Sequence, residues 1–149
     1  MDRESIMALL YEYKLQDYGA PFKGCSMEEI ASLERGFARP LPLTYRAYLS
    51  AAGHESGKLF RGTDASFSVL EELQPEAREL LRENGDLFTL PETAFVFAMH
   101  QGWVIYYFEL DKGDDPPVLC WSEGSGAAAE TISPSYSAYL MDEIKRHAR

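Results

Sequence analysis

The chain opens on a helical period. Ile6, Leu9, Leu10 and Tyr13 fall on one face of the segment MDRESIMALLYEYK, with charged residues between them. That is the pattern of a helix packed by a single apolar stripe. A second helix is framed more sharply. Ser26 and Glu29 have the S-x-x-E spacing of a capping box, in which each side chain satisfies a free backbone N–H at the helix start. Met27, Ile30, Leu33 and Phe37 then share a face. Pro40 and Pro42 end this helix, and Pro42 suits the first turn of the next. There Tyr45, Tyr48, Leu49 and Ala52 repeat at i, i+3, i+4 and i+7, ahead of Gly53. A fourth helix is expected over 70–81, burying Leu70, Leu73, Ala77, Leu80 and Leu81 and stopping at Asn84-Gly85. Its outer face carries Glu71, Glu72, Glu76, Glu79 and Glu83, answered only by Arg78 and Arg82. Such a run reads as a solvated helix face.

The period then changes. Ala94–Met99 is a short apolar run rich in strand formers, and His100-Gln101-Gly102 reads as a tight connection. Trp103–Leu110 is apolar on both alternating faces, as in a central strand covered on both sides or covered on one and partner-facing on the other. Asp111–Pro117 is a loop by composition. Val118–Trp121 forms a third strand and Glu130–Ile132 a fourth. Strands this close are joined only by hairpins, so the sheet is mainly antiparallel. Ser133-Pro134 opens the last helix as cap and first position, with Tyr136, Leu140 and Ile144 as its stripe. The order predicts an α+β fold: a mainly antiparallel sheet with N-terminal helices, a mid-chain helix and a C-terminal helix packed around it. Ile30, Leu33, Tyr45, Leu49, Val104, Tyr106, Leu140 and Ile144 are expected to be buried together.

Composition narrows the function. At 149 residues with no dividing linker, residues 1–149 form one domain, long enough to bury a core without staples. A net charge of −10 disfavours direct binding to nucleic-acid phosphates and fits a basic protein partner or simple solubility. The N-terminus lacks the continuous apolar stretch of a signal peptide, and no segment reads as membrane-spanning, which points to a cytoplasmic protein. Cys25 and Cys120 form neither a disulfide framework nor a zinc pattern and read as buried thiols.

Tests for chemistry come out negative. His54, His100 and His147 are far apart and lack any metal-ligand spacing. A Cys120–His100 dyad across neighbouring strands is conceivable, but Cys120 lies in an apolar strand. No glycine pattern cradles a phosphate. Asp111, Asp114 and Asp115 lack the EF-hand spacing and read as a solvated acidic turn. No catalytic, cofactor-binding or metal residue is therefore assigned. Trp103, Tyr106, Tyr107, Phe108 and Trp121 form an aromatic set without the basic groove that base stacking needs. If part of it is exposed beside the acids, an aromatic centre with an acidic rim results, as in protein interfaces. The partner-binding expectation is accordingly Asp111, Asp114, Asp115, Trp121 and Glu123, on loops linking a rigid sheet.

Leu41-Pro42, then Tyr45-Arg46-Ala47-Tyr48-Leu49, then Gly53 resembles the opening of the SUKH superfamily, named for the yeast cell-wall-synthesis regulator Smi/Knr. Leu90-Pro91, Phe97-Ala98 and Gly102 stand where that family has its glycine-containing hairpin. Pro117-Val118 with Trp121 stands for a later strand, and Tyr136-Ser137-Ala138-Tyr139-Leu140 for the closing helix. The chain departs from the family in having Ala52-Gly53-His54 in place of a frequent Asn-Gly-Gly, and Trp103 after the hairpin glycine. The resemblance implies a non-enzymatic binding domain, many bacterial relatives being immunity proteins that neutralise toxins. The partner implied is a basic toxin domain, most plausibly a nuclease, held by occlusion. The alternatives are a regulatory or scaffold module of the same fold and a small enzyme with an unrecognised site.

Overall fold

The computed structural model describes residues 1–17 and 20–148. Three helices come first: α1 (Arg3–Glu12), α2 (Met27–Phe37) and α3 (Leu43–Ala52). The Ser26–Glu29 capping box is present on α2, with Ser26 N donating to Glu29 at 2.9 Å and Glu29 N to the serine oxygen at 3.1 Å. A second box, Asp2 with Ser5, starts α1. Strand β1 (Thr63–Asp64) and a short 3₁₀ turn lead into α4 (Leu70–Glu83), whose buried residues are the five that its period marks. Strands β2 (Ala94–His100), β3 (Val104–Glu109), β4 (Val118–Ser122) and β5 (Glu130–Ser133) follow, and α5 (Tyr136–His147) closes the chain.

The five strands lie in sequence order, every neighbouring pair antiparallel. The fold is therefore α+β, as the order of elements implies. Gln101 (φ 50°) and Gly102 (φ 75°) both adopt left-handed backbone in the β2–β3 turn. That geometry matches the twist of the flanking strands and favours glycine at the second position. β2 is covered along its outer edge by β1 only at His100 and Met99. Further along, the Gln74 amide of α4 takes the place of a strand: its oxygen accepts from Val96 N at 3.0 Å and its nitrogen donates to Val96 O at 2.8 Å. An open sheet edge is thereby capped by a side chain.

The two sheet faces carry different cores. On one, Phe95, Phe97 and Phe108 meet Tyr45 of α3 and Tyr136 of α5, with ring centroids 5.1–6.2 Å apart. On the other, Tyr107 and Trp121 pack beneath Phe88, whose ring stacks on Trp121 at 6.5 Å. Alternation along β3 puts Tyr107 opposite to Tyr106 and Phe108. Of the expected core, Ile30, Leu33, Tyr45, Leu49, Leu140 and Ile144 join the main cluster. Val104 is buried outside it, and Tyr106 is only partly buried against it.

The last helix begins two residues later than its sequence suggests. Ser133 is the final residue of β5, and Ser135 caps α5 by accepting from Ala138 N at 3.1 Å.

Candidate protein-binding surface

The five residues expected at a partner-binding edge do not assemble there. Asp111 and Asp114 are exposed, on the loop before β4. Glu123 follows β4 at its far end, about 16 Å of strand away, where its carboxylate accepts from Asn84 Nδ2 at the end of α4 (3.3 Å). Trp121 is 1% exposed and donates its indole N–H to Gly126 O at 2.9 Å. It faces Phe88, so the expected aromatic anchor is a core residue and touches no solvent.

Asp115 is exposed as well, but its carboxylate has a structural task. Helix α3 starts at Pro42, which offers no side-chain cap. Its exposed N–H at Thr44 donates instead to Asp114 O at 3.1 Å. The Thr44 hydroxyl lies between Asp114 O (3.1 Å) and the Asp115 carboxylate (3.0 Å). The same Asp115 oxygen accepts from Ser137 N, in the first turn of α5, at 2.9 Å. One carboxylate thus takes a first-turn N–H of α5 and the Thr44 hydroxyl at the start of α3, two helix ends where the dipole favours negative charge.

The contiguous acidic surface is the outer face of α4. Glu71, Glu72, Glu76, Glu79 and Glu83 are all exposed there, with Arg82 paired to Glu79 and Glu123 adjoining the helix end. A separate apolar groove of about 490 Å³ lies between the start of α1 and helices α2 and α3, with Met27 and Leu43 exposed at its walls.

The pairs considered for chemistry are dispersed. His100 is bonded to Thr63 through Nδ1 at 3.0 Å and faces Val104 in the sheet. Cys120 pairs with Tyr106 on the adjacent strand, two strands across and two residues along from His100 and so beyond dyad reach, and burial raises its thiol pKa. Among the described residues, one group of three ligand-type side chains does converge: Cys25, Glu29 and His54, all within 4.8 Å. His54 Nε2 lies 2.8 Å from Glu29. Burial, and then the neighbouring Glu29 charge, push the Cys25 thiol up to about 12. Glu29 is held below the usual carboxylate range chiefly by its hydrogen bond from Ser26 N, with His54 adding to it. Sequence reading missed this group because its members share no motif. Only the pairing of segment 23–25 with 49–55 brings them together.

No described helix is long and apolar enough to cross a membrane. No curated protein matches the chain. The sequence does match the SMI1 / KNR4 family (SUKH-1) over residues 24–142, which takes in every element from α2 through most of α5. With so much of the fold inside the match, the chain belongs to the SMI1 / KNR4 family (SUKH-1).

Proposed function

We propose that this chain is a non-enzymatic cytoplasmic binding domain of the immunity type, which neutralises a toxin by covering it. The observation that carries this reading is the family match across residues 24–142. Its electrostatics supply the kind of partner. A chain of net charge −10, with five exposed glutamates on one helix face, attracts a basic domain such as a nuclease. Complementary charge of this sort mainly speeds encounter and selects the partner. We place the contact on α4 and Glu123 rather than on the loop before β4, because Asp115 is engaged with two helices and Trp121 is buried.

The experiment is a pull-down from the native organism, followed by co-expression with the toxin domain it recovers. Growth arrest by the toxin should be relieved, and the two chains should elute as one complex. A toxin that stays lethal and elutes alone would overturn the proposal. A stable complex with a non-toxic partner would favour a regulatory module of the same fold.

A further inference from the structure

We propose that Cys25, Glu29 and His54 form a binding site for a thiophilic divalent cation, Zn²⁺ above all. The three donors come from separate places. Cys25 precedes α2, Glu29 sits in its first turn, and His54 follows α3. Backbone bonds lock these segments together: Cys25 N donates to Leu49 O (2.8 Å), His54 N to Lys23 O (2.9 Å), and Lys23 and Glu55 exchange a pair at 3.0 Å. Two glycines permit the approach. A Cβ on Gly24 would meet Ser50 O at 1.8 Å, and one on Gly53 would meet the Cys25 sulfur at 2.5 Å.

Each donor is also oriented. The capping box holds one Glu29 oxygen on Ser26 N and leaves the other toward His54. The edge of Phe67 packs on the His54 ring at 5.1 Å. A tetrahedral zinc with bonds of about 2.0–2.3 Å sets its donors roughly 3.3–3.6 Å apart. The His54–Glu29 contact must open by about 0.5 Å, and the thiol must swing in by about 1.3 Å at most, to meet that geometry. The set of one sulfur, one imidazole and one carboxylate suits Zn²⁺ and not the oxygen-seeking Mg²⁺ or Ca²⁺. A thiolate and a carboxylate together neutralise the two charges of the ion. Binding forms the S–Zn, N–Zn and O–Zn bonds and releases the thiol proton to solvent. The three donors line one cleft together with Arg3, Lys23, Ser26 and Ser50.

The test is a Co²⁺ titration of the full chain stripped with chelator, with circular dichroism on every variant. We expect equimolar saturation, a thiolate-to-cobalt charge-transfer band, and displacement of cobalt by equimolar Zn²⁺. C25S should abolish the band, H54Q should weaken binding about tenfold or more, and C120S should change neither. If C25S fails to fold, H54Q with C120S decides the matter. Absence of the band in the natural chain, a band lost with C120S, or H54Q binding as tightly as the natural chain would overturn the site. Toxin neutralisation enters none of these readouts.

Discussion

The loop before β4 and the outer face of α4 are both acidic, yet the fold uses them in opposite ways. In the loop, the backbone oxygen of Asp114 and the carboxylate of Asp115 point at helix starts that have bare N–H groups. On α4, the glutamates are partnered by little beyond Arg82 and stay in water. Acid count alone does not say which is structural. What decides is whether an unsatisfied backbone donor lies within reach. The α3 start lacks a cap of its own, and the loop supplies it from 70 residues away.

The largest expected effect removes the aromatic of β4, the strand that leads from the loop to Glu123. Trp121 lies between Ile105 on the neighbouring strand and the Phe88 ring. Trp121→Ala should cost about 3–5 kcal/mol, as for other buried large aromatics. Urea unfolding measures this. A loss below about 1 kcal/mol would mean that the ring is not packed as described.

Next is Asp115. Asp115→Ala removes the acceptor of one α5 N–H and of the Thr44 hydroxyl, and should cost about 1–3 kcal/mol, roughly 0.5–2 for the cap and about 0.5–1.5 for the hydroxyl bond. Asp115→Asn keeps an acceptor oxygen and should lose only part of that, which separates hydrogen bonding from charge. Glu76→Gln on α4 should stay within about 0.5 kcal/mol of the natural chain. Equal losses at Asp115 and Glu76 would erase the contrast between the two regions.

A smaller effect links the loop to alkaline stability. The helices it staples carry Tyr45 and Tyr136, whose rings meet at 5.3 Å. Burial raises both phenols well above the usual tyrosine value, and raises Tyr107 to about 12. Below pH about 10, folded and unfolded tyrosines are both protonated and stability is complete. Above it the unfolded chain ionises first, so stability falls as pH rises through about 10–12. Phenolate absorbance from these rings should therefore appear together with unfolding. Asp115→Ala should move that transition to lower pH. Tyr136→Phe should move it higher, because it removes a buried hydroxyl that has no partner among the described residues.

Much of this architecture is legible in the sequence, for local reasons. The capping box on α2, the five-residue stripe of α4 and the glycine turn after β2 are all contained within a few residues. The two-residue β1 is too short to show a period, and the start of α5 was displaced because Ser133 and Ser135 are both plausible caps. The site is less legible. Trp121, flanked by Ser122 and Glu123, could face either way until the strand register fixed it against Phe88. Cys25, Glu29 and His54 meet only through a backbone pairing that no spacing announces.

The smallest effect on stability carries the sharpest functional reading. Changing Glu72, Glu76 and Glu79 together to Gln alters exposed side chains, one of them paired with Arg82. Surface pairs of this kind contribute about 0–1 kcal/mol, so the variant should unfold within roughly that of the natural chain. Its association with a basic partner should nevertheless slow, most at low salt, because exposed charges act through long-range attraction that ions screen. Dissociation should change little. The paired control is Asp111→Asn with Asp114→Asn, which neutralises the two loop carboxylates that hold no helix and leaves Asp115 on its helices. Stopped-flow or surface kinetics with the partner recovered by pull-down, at low and high salt, compare the two variants. A slower association for the α4 variant alone places the partner on the helix. The reverse result would return the contact to the loop and show that the same segment both staples two helices and meets the partner.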